Sequence, residues 1–213
     1  MLYDMLEQSE GRVVFMIKVT LNGMRDAESD RDFMGYIRLN VDDKVYLDSI
    51  KIYQDESQDS GIAIVTPAHK SGDKYYPFFK ITSKAFTDML RNCVKEYIIN
   101  PDNKEFVYNL QQEPEKIGIY VHPDTKKADM MISGQICIDS FRIMQNKENG
   151  DLFVSMPSIK KTDADGNVKY DKVVNISKDY RDDFNKEILD KYQKYSKEKK
   201  EEKAEPSEGG KTI

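Results

Sequence analysis

The stretch YLDSIKIY, residues 46–53, decides the fold because it recurs as CIDSFRIM at residues 137–144. The segments that follow match in the same order: a polar turn, an apolar strand ending in proline (IAIVTP and LFVSMP), and a basic step (AHK and SIKK). Each copy then continues with a second polar turn, a further strand and a helix. Agreement in order as well as in residue type predicts that the chain is an internal duplication.

The repeated strand has two chemically different faces. Because strand side chains alternate, Ile50 and its counterpart Phe141 should point into a core. Lys51 and its counterpart Arg142 should point the other way. Each copy therefore displays one cation opposite its core face.

Each copy ends in an amphipathic helix. Apolar residues at three- and four-residue steps form one stripe per helix. Ser83 or Thr82 is the candidate N-cap of the first helix and Ser177 that of the second, and Pro101 ends the first helix. The predicted stripes are Phe86, Met89, Leu90, Cys93, Val94 and Tyr97 in the first copy, and Tyr180, Phe184, Ile188, Tyr192 and Tyr195 in the second.

Two further strands lie upstream of each repeated strand. The sequence thus predicts an α+β fold of two tandem β-β-β-β-β-α units, each a small, mostly antiparallel sheet with one packed C-terminal helix. The units span residues 1–100 and 101–198, and residues 199–213 are expected to be a disordered charged tail. The upstream strands fall near residues 12–21, 32–41, 117–122 and 128–135.

Composition and charge restrict the class of protein. A net charge of −5 over 213 residues argues against a histone-like binder of polyanions, so any contact with nucleic acid must be a local patch. The cysteines, Cys93 and Cys137, are too few for a disulfide framework, and the acidic start does not resemble a signal peptide. No apolar run approaches the roughly 20 residues of a membrane span. We therefore expect a cytoplasmic protein without a membrane partner.

The sequence has no pattern that supports catalysis. His69 and His122 are isolated, without the spacing of metal ligands, and neither a nucleophile motif nor a Gly-rich phosphate loop is present. Alternation places Asp48 and Asp139 on the core faces of their strands, where a carboxylate bonded to turn or helix amides is expected rather than a catalytic acid. The protein is therefore predicted to be non-enzymatic, with no cofactor and no metal.

The second copy contains a longer motif. Asp139, Phe141 and Arg142 precede NGDLFVSMPSIK at residues 149–160, followed by a D-G turn, a final strand and one helix. With one inserted residue, this order and spacing resembles the stage V sporulation protein G (SpoVG) family of bacteria. The first copy keeps LNVDDKVYLDSIKI but replaces the family's FVxMPS core by AIVTPA, as in a diverged copy.

The resemblance implies a small β-sheet with a packed helix, in proteins that self-associate and regulate gene expression or septation by binding DNA or RNA. Two units in one chain then imply an intramolecular pseudo-dimer. A further oligomer stays open.

Basic residues near the repeated strands are the candidate nucleic-acid site. They would form a sheet-edge strip that follows the phosphate backbone. Tyr170 would stack on the bases of a single-stranded target, whereas Asp163, Asp165 and Asp171 would weaken the attraction for phosphate. The predicted strip consists of Lys51, His69, Lys70, Arg142, Lys160, Lys161, Lys169 and Lys172.

Two other interpretations remain. Solvent-facing lysines often serve only to solubilise a surface or to protect a sheet edge from aggregation. The second functional hypothesis is a protein-interaction adaptor that does not bind nucleic acid, in which exposed sheet edges or the mixed-charge helix at residues 181–198 recruit a protein partner.

Overall fold

The computed structural model describes residues 14–25, 32–111, 117–162 and 165–204. The first repeat contains β1 (Val14–Asn22), β2 (Phe33–Val41), β3 (Val45–Gln54), β4 (Ile62–Val65), β5 (Ala68–Ser71), β6 (Lys74–Pro77), β7 (Phe79–Ile81) and α1 (Lys84–Ile99). After β8 (Glu105–Gln111), the second contains β9 (Ile117–His122), β10 (Lys127–Ile132), β11 (Ile136–Gln145), β12 (Leu152–Ser155), β13 (Ser158–Thr162), β14 (Val168–Lys172), β15 (Val174–Ile176) and α2 (Lys178–Ala204).

Two antiparallel sheets form the body of the molecule. The first has the strand order β15-β3-β2-β1-β8, with β4 also pairing with β3. The second has the order β12-β11-β10-β9, with β7 also pairing with β11. Helix α1 packs on β4 and β1, and α2 packs on β9 and β12. The α+β prediction of two sheet-rich halves, each followed by a helix, is confirmed.

The two repeats exchange one short strand each. β7 of the first repeat pairs with β11, and β15 of the second repeat pairs with β3. Phe79 on β7 and Val174 on β15 are fully buried, within the one core that both sheets share. Each sheet is therefore completed by a strand from the other repeat.

Each repeat has seven strands in the described residues, where the sequence predicted five. The basic step after each proline is itself a strand, β5 or β13, and pairs with the strand that follows it. The last predicted strand then divides at Phe78 and at Val173, where the chain leaves a hairpin and enters the other sheet. An uninterrupted run such as YYPFFKIT does not reveal this break. The predicted upstream strands are present, although residues 12–13 lie outside the described residues and residues 133–135, predicted to be strand, form the turn after β10. The strand β8 was not predicted.

A β-bulge interrupts the repeated strand in both repeats. Leu39 pairs with Leu47 and Ile37 with Ile50, so β3 holds one extra residue between these pairs. Ser49, in the bulge, has φ 65°, in the left-handed region. The same shift occurs in β11, at the matching Asp-Ser dipeptide.

The bulge corrects one prediction. Asp48 and Asp139 do not share the core face, because the extra residue changes the alternation and places both acids on the solvent side. There Asp48 forms an ion pair with Arg38, and Asp139 accepts a hydrogen bond from Lys80 Nζ at 2.9 Å.

Both helices begin at the predicted caps. The hydroxyl of Ser83 accepts a hydrogen bond from Phe86 N at 3.2 Å, and that of Ser177 accepts one from Tyr180 N at 3.3 Å. The stripe of α2 buries Phe184 and Ile188, but Tyr195 is 46% exposed and lies outside the core. Helix α2 includes residues 199–204 of the predicted tail, and residues 205–213 lie outside the described residues.

Candidate nucleic-acid interface

Two β-hairpins form separate two-stranded sheets and contain most of the predicted basic residues. The first hairpin is β5–β6 and the second is β13–β14. Each is closed at its base by the same backbone hydrogen bond: Phe78 N donates to Pro67 O at 2.9 Å, and Val173 N donates to Pro157 O at 3.1 Å. The two hairpins are therefore comparable residue by residue from their base.

The register of the second hairpin divides its lysines between two faces. Lys160 pairs with Tyr170, and Lys172 pairs with Ser158, so these side chains share one face. Lys161 pairs with Lys169 on the opposite face. We call the first of these the Lys160 face; it consists of Ser158, Lys160, Thr162, Val168, Tyr170 and Lys172. The predicted lysines thus do not form one continuous strip.

The two faces differ in charge. Lys161 Nζ lies 2.5 Å from Asp171 Oδ2, and this hydrogen bond raises the pKa of Lys161. The neighbouring carboxylate lowers the positive potential that Lys161 would offer to a phosphate on this face. None of the described residues of the Lys160 face is acidic. Asp165 lies in the turn, and Asp163 lies outside the described residues.

The first hairpin repeats the same lysine–tyrosine pair. Lys70 pairs with Tyr75, at the same distance from the hairpin base as Lys160 and Tyr170. The ammonium of Lys70 lies 5.9 Å from the centroid of the Tyr75 ring. Both tyrosines are well exposed, Tyr75 at 70% and Tyr170 at 65%. Each hairpin therefore presents a cation beside an exposed aromatic ring.

His69 lies on the other face of the first hairpin. Its ring centroid is 5.7 Å from that of Tyr76, in a stacked arrangement, and 5.2 Å from that of Phe78. These contacts give His69 a packing role in the hairpin.

Lys51 and Arg142 lie on the solvent-facing sides of the two sheets, as alternation predicted. Lys51 pairs across strands with Tyr36. Arg142 pairs with Lys127 on one side and with Ser155 on the other. Arg142 is thus next to the edge strand β12, and Lys127 on β10 places a second cation beside Arg142. The sequence did not suggest Lys127.

The acids of the repeated strand are compensated by cations. Lys80, which forms the ion pair with Asp139, lies on the exchanged strand β7, and the hydrogen bond between them raises the pKa of Lys80. The Lys80–Asp139 ion pair joins the two repeats. Among the described residues, no group of three or more His, Cys, Asp or Glu side chains is placed to hold a metal ion.

A cavity lies at the base of the second hairpin. It includes Tyr170 and Lys172 of the Lys160 face, together with Arg181 and Asn185 of α2. The sequence did not identify the last two, because within a mixed-charge helix they resemble solvent-exposed residues. Their spacing of four residues, on either side of the buried Phe184, was the available signal.

Comparison with known proteins finds similarity to one family over part of the chain. No protein with a curated description and no solved structure matches the chain. No described helix is long and apolar enough to cross a membrane. The SpoVG family matches residues 125–194, which extend from just before β10 into α2. The match does not reach the first repeat, whose similarity to the family stays a prediction. The second repeat is thus the part of the chain that is similar to the SpoVG family.

Proposed function

We propose that this protein is a non-enzymatic, cytoplasmic regulator of the SpoVG type that binds DNA or RNA. The observation that carries the proposal is the exposed lysine–tyrosine pair at the same register of both hairpins. A lysine ammonium neutralises a backbone phosphate, and an exposed tyrosine ring stacks on a base. Such a pair suits single strands and requires no particular sequence.

Local charge supports this proposal despite the acidic chain. Lys160 and Lys172 share a face without described carboxylates. Ser155 lines the cavity together with Lys172 and pairs across strands with Arg142, so it links this face to a further cation. Lys127 adds a further cation next to Arg142. Because screening in physiological salt limits charge effects to about 8 Å, this patch would act on a ligand largely independently of the net charge of −5.

The exchange of β7 and β15 supports a second part of the proposal. We propose that the two repeats act as the two halves of a pseudo-dimer. Both hairpins then belong to one molecule, and a strand held by one hairpin meets the other at high effective concentration. Two weak contacts would in this way give useful affinity.

Fluorescence anisotropy with mixed-sequence single- and double-stranded DNA and RNA tests the function. We expect affinity to fall steeply between low and physiological salt, because bound lysines release counterions from the phosphates. Single strands should bind more tightly than duplexes because their bases are free to stack. Absence of binding at low salt would contradict the proposal.

The adaptor alternative rests on a different surface. Met144 and Phe153 form a cross-strand pair in β11 and β12, and each is 45% exposed. β12 ends one side of the second sheet, so an extended peptide would pair with it and cover these two side chains. A partner that is retained after nuclease treatment and lost in Phe153→Ser would favour this function.

A further inference from the structure

The cavity at the base of the second hairpin has a volume of about 280 Å³. Polar and apolar side chains line it together: Val154, Ser155 and Met156 at the end of β12, Ser158, Tyr170 and Lys172 of the hairpin, and Arg181 and Asn185 of α2. This volume lies just below the usual range for small-ligand sites, which begins at about 300 Å³. It suits a ligand of few heavy atoms, or one unit of a polymer.

Two buried polar atoms in the wall of this cavity have no hydrogen-bond partner, Nε of Arg181 and Oδ1 of Asn185. The guanidinium is held in place, because its Nη2 donates to Ile176 O at 2.8 Å. Its Nε–H is therefore held in place, buried and without an acceptor. Buried polar groups are nearly always paired in folded proteins, so these two atoms call for a bound water or ligand that offers an acceptor to the Nε–H of Arg181 and a donor to Oδ1 of Asn185.

The first repeat provides an internal comparison. Arg91 lies at the same distance from its N-cap serine as Asn185 does from its own. Arg91 donates from Nε to Ile62 O at 3.1 Å, from Nη1 to Asp88 at 2.9 Å and from Nη2 to Gln58 at 3.2 Å. This position is satisfied within the protein in the first repeat and left unsatisfied in the second.

The chemistry of the wall selects an anion. Lys172 and Arg181 supply two positive charges, Ser155 and Ser158 supply hydroxyl donors, and none of the described residues that line the cavity is acidic. A guanidinium and an ammonium together match a phosphate, which accepts several charge-assisted hydrogen bonds. The exposed ring of Tyr170 adds a flat surface for a planar group.

We propose that this cavity binds one nucleotide unit, with its phosphate between Lys172 and Arg181 and its base against Tyr170. The proposal rests on the proposed function in so far as the same face would contact a nucleic-acid strand. A free mononucleotide and a nucleotide within a strand offer the same phosphate and base, so both are candidate sources.

Calorimetric titration of the full chain with adenosine monophosphate tests the site. Asn185→Asp places a carboxylate at the unpaired oxygen with almost no change in shape, and it should weaken binding by at least about tenfold through repulsion of the phosphate. Gln193→Glu makes the same chemical change at an exposed position of α2 and should leave the affinity unchanged. Lys172→Gln, on the exposed hairpin, is a second variant whose effect does not depend on the helix.

A competition experiment distinguishes a free nucleotide from a nucleotide within a strand as the natural ligand. A single-stranded oligonucleotide is added to the protein saturated with adenosine monophosphate. Competition would identify the strand as the source, and simultaneous binding would identify the free nucleotide. Either result requires the cavity to be occupied.

Failure of this inference is distinguishable from failure of the proposed function. If the mononucleotide does not bind, or binds wild type and Asn185→Asp equally, the cavity proposal is overturned, whether or not oligonucleotides still bind. If the mononucleotide binds but no oligonucleotide does, the cavity site stands and the nucleic-acid function falls.

Discussion

Substitution of single tyrosines tests the contribution of base stacking separately from that of charge in the proposed interface. Replacing Tyr170 or Tyr75 by Ala removes a ring without changing charge, and we expect single-strand binding to weaken by about 1–3 kcal/mol per ring. Duplex binding and the salt dependence should change little. Anisotropy titration checks this, with Tyr195→Ala as the matched control, since Tyr195 is also exposed but lies far along α2. An equal loss in the control, or an equal loss for duplexes, would contradict a stacking role.

Cys93 and Tyr108 join α1 to β8, and they determine a response to alkaline pH. The thiol donates to the Tyr108 hydroxyl at 3.3 Å. Burial raises the pKa of both groups above their ordinary values of 9.0 and 10.0. The folded state thus keeps protons that the unfolded chain releases, so its stability is complete below pH 9 and falls as the pH rises beyond it.

The variant Tyr108→Phe tests this response. It removes one proton-retaining group and leaves Cys93, Cys137 and Tyr180, whose pKa values burial also raises, so the free energy of unfolding should fall less between neutral pH and pH 10 than in wild type. Urea unfolding followed by circular dichroism at both pH values measures the difference. An identical pH dependence in the two proteins would show that Tyr108 does not contribute.

Among elements, the bulge in β3 is specified by the backbone conformation of one residue. Ser49 has φ 65°, and a β-branched side chain there costs about 1–2 kcal/mol. We expect Ser49→Val to lower the free energy of unfolding by about this amount, whereas Ser49→Gly should leave it unchanged or raise it. Chemical denaturation of both variants compares them. A Val variant as stable as the Gly variant would argue against the bulge.

The sequence predicted the elements better than their irregularities. Alternation correctly placed Lys51 and Arg142 towards solvent, but the same alternation placed Asp48 and Asp139 on the wrong face. A bulge adds one residue without any change in residue type, so a period of two does not reveal it. Both errors occur at the same dipeptide because both repeats contain the bulge.

The pairing within the hairpins was also hidden in the sequence. The loop between Ser71 and Lys74 is shorter than that between Thr162 and Val168, so aligning the two hairpins from their tips obscures the lysine–tyrosine pairs. The register becomes visible only from the base, where the bond to the carbonyl of each proline fixes it. Lys70, Lys160 and Tyr170 could therefore be chosen from the sequence, but their partners and faces could not.

For the whole molecule, strand exchange makes the stability of the two repeats interdependent. Phe79 belongs to the first repeat but is fully buried on β7 beside β11 of the second sheet. Phe79→Ala should destabilise the protein by about 3–5 kcal/mol, through lost burial and a cavity. Because both sheets share the core, we expect one unfolding transition for the whole chain.

Hydrogen exchange that reports on both sheets measures this coupling. Tyr76→Ala, which truncates a 46% exposed ring of the first hairpin, serves as the control and should cost far less. Unfolding of the second sheet alone, with the first sheet still protected, would contradict the interdependence of the repeats.

The sequence predicted the duplication, both helices and their caps, but not the exchange. The order of turns and strands was readable because it recurs in both copies. The sheet with which a three-residue strand pairs was not readable, since segments as short as FKI and VNI contain no pattern that specifies a partner strand. Long-range pairing of this kind depends on the whole fold rather than on the local sequence.

The measurement that tests the central claim most directly compares Lys160→Glu with Lys161→Glu in anisotropy titrations with single-stranded nucleic acid at two salt concentrations. The two changes are chemically identical and adjacent, but Lys161 lies on the opposite face of the hairpin, beside Asp171, and therefore does not contact a strand bound to the Lys160 face. We predict that Lys160→Glu weakens binding to all sequences and lowers the salt slope by about one, and that Lys161→Glu has a clearly smaller effect. Equal losses in the two variants, or no loss in Lys160→Glu, would contradict the assignment of the Lys160 face as the nucleic-acid interface.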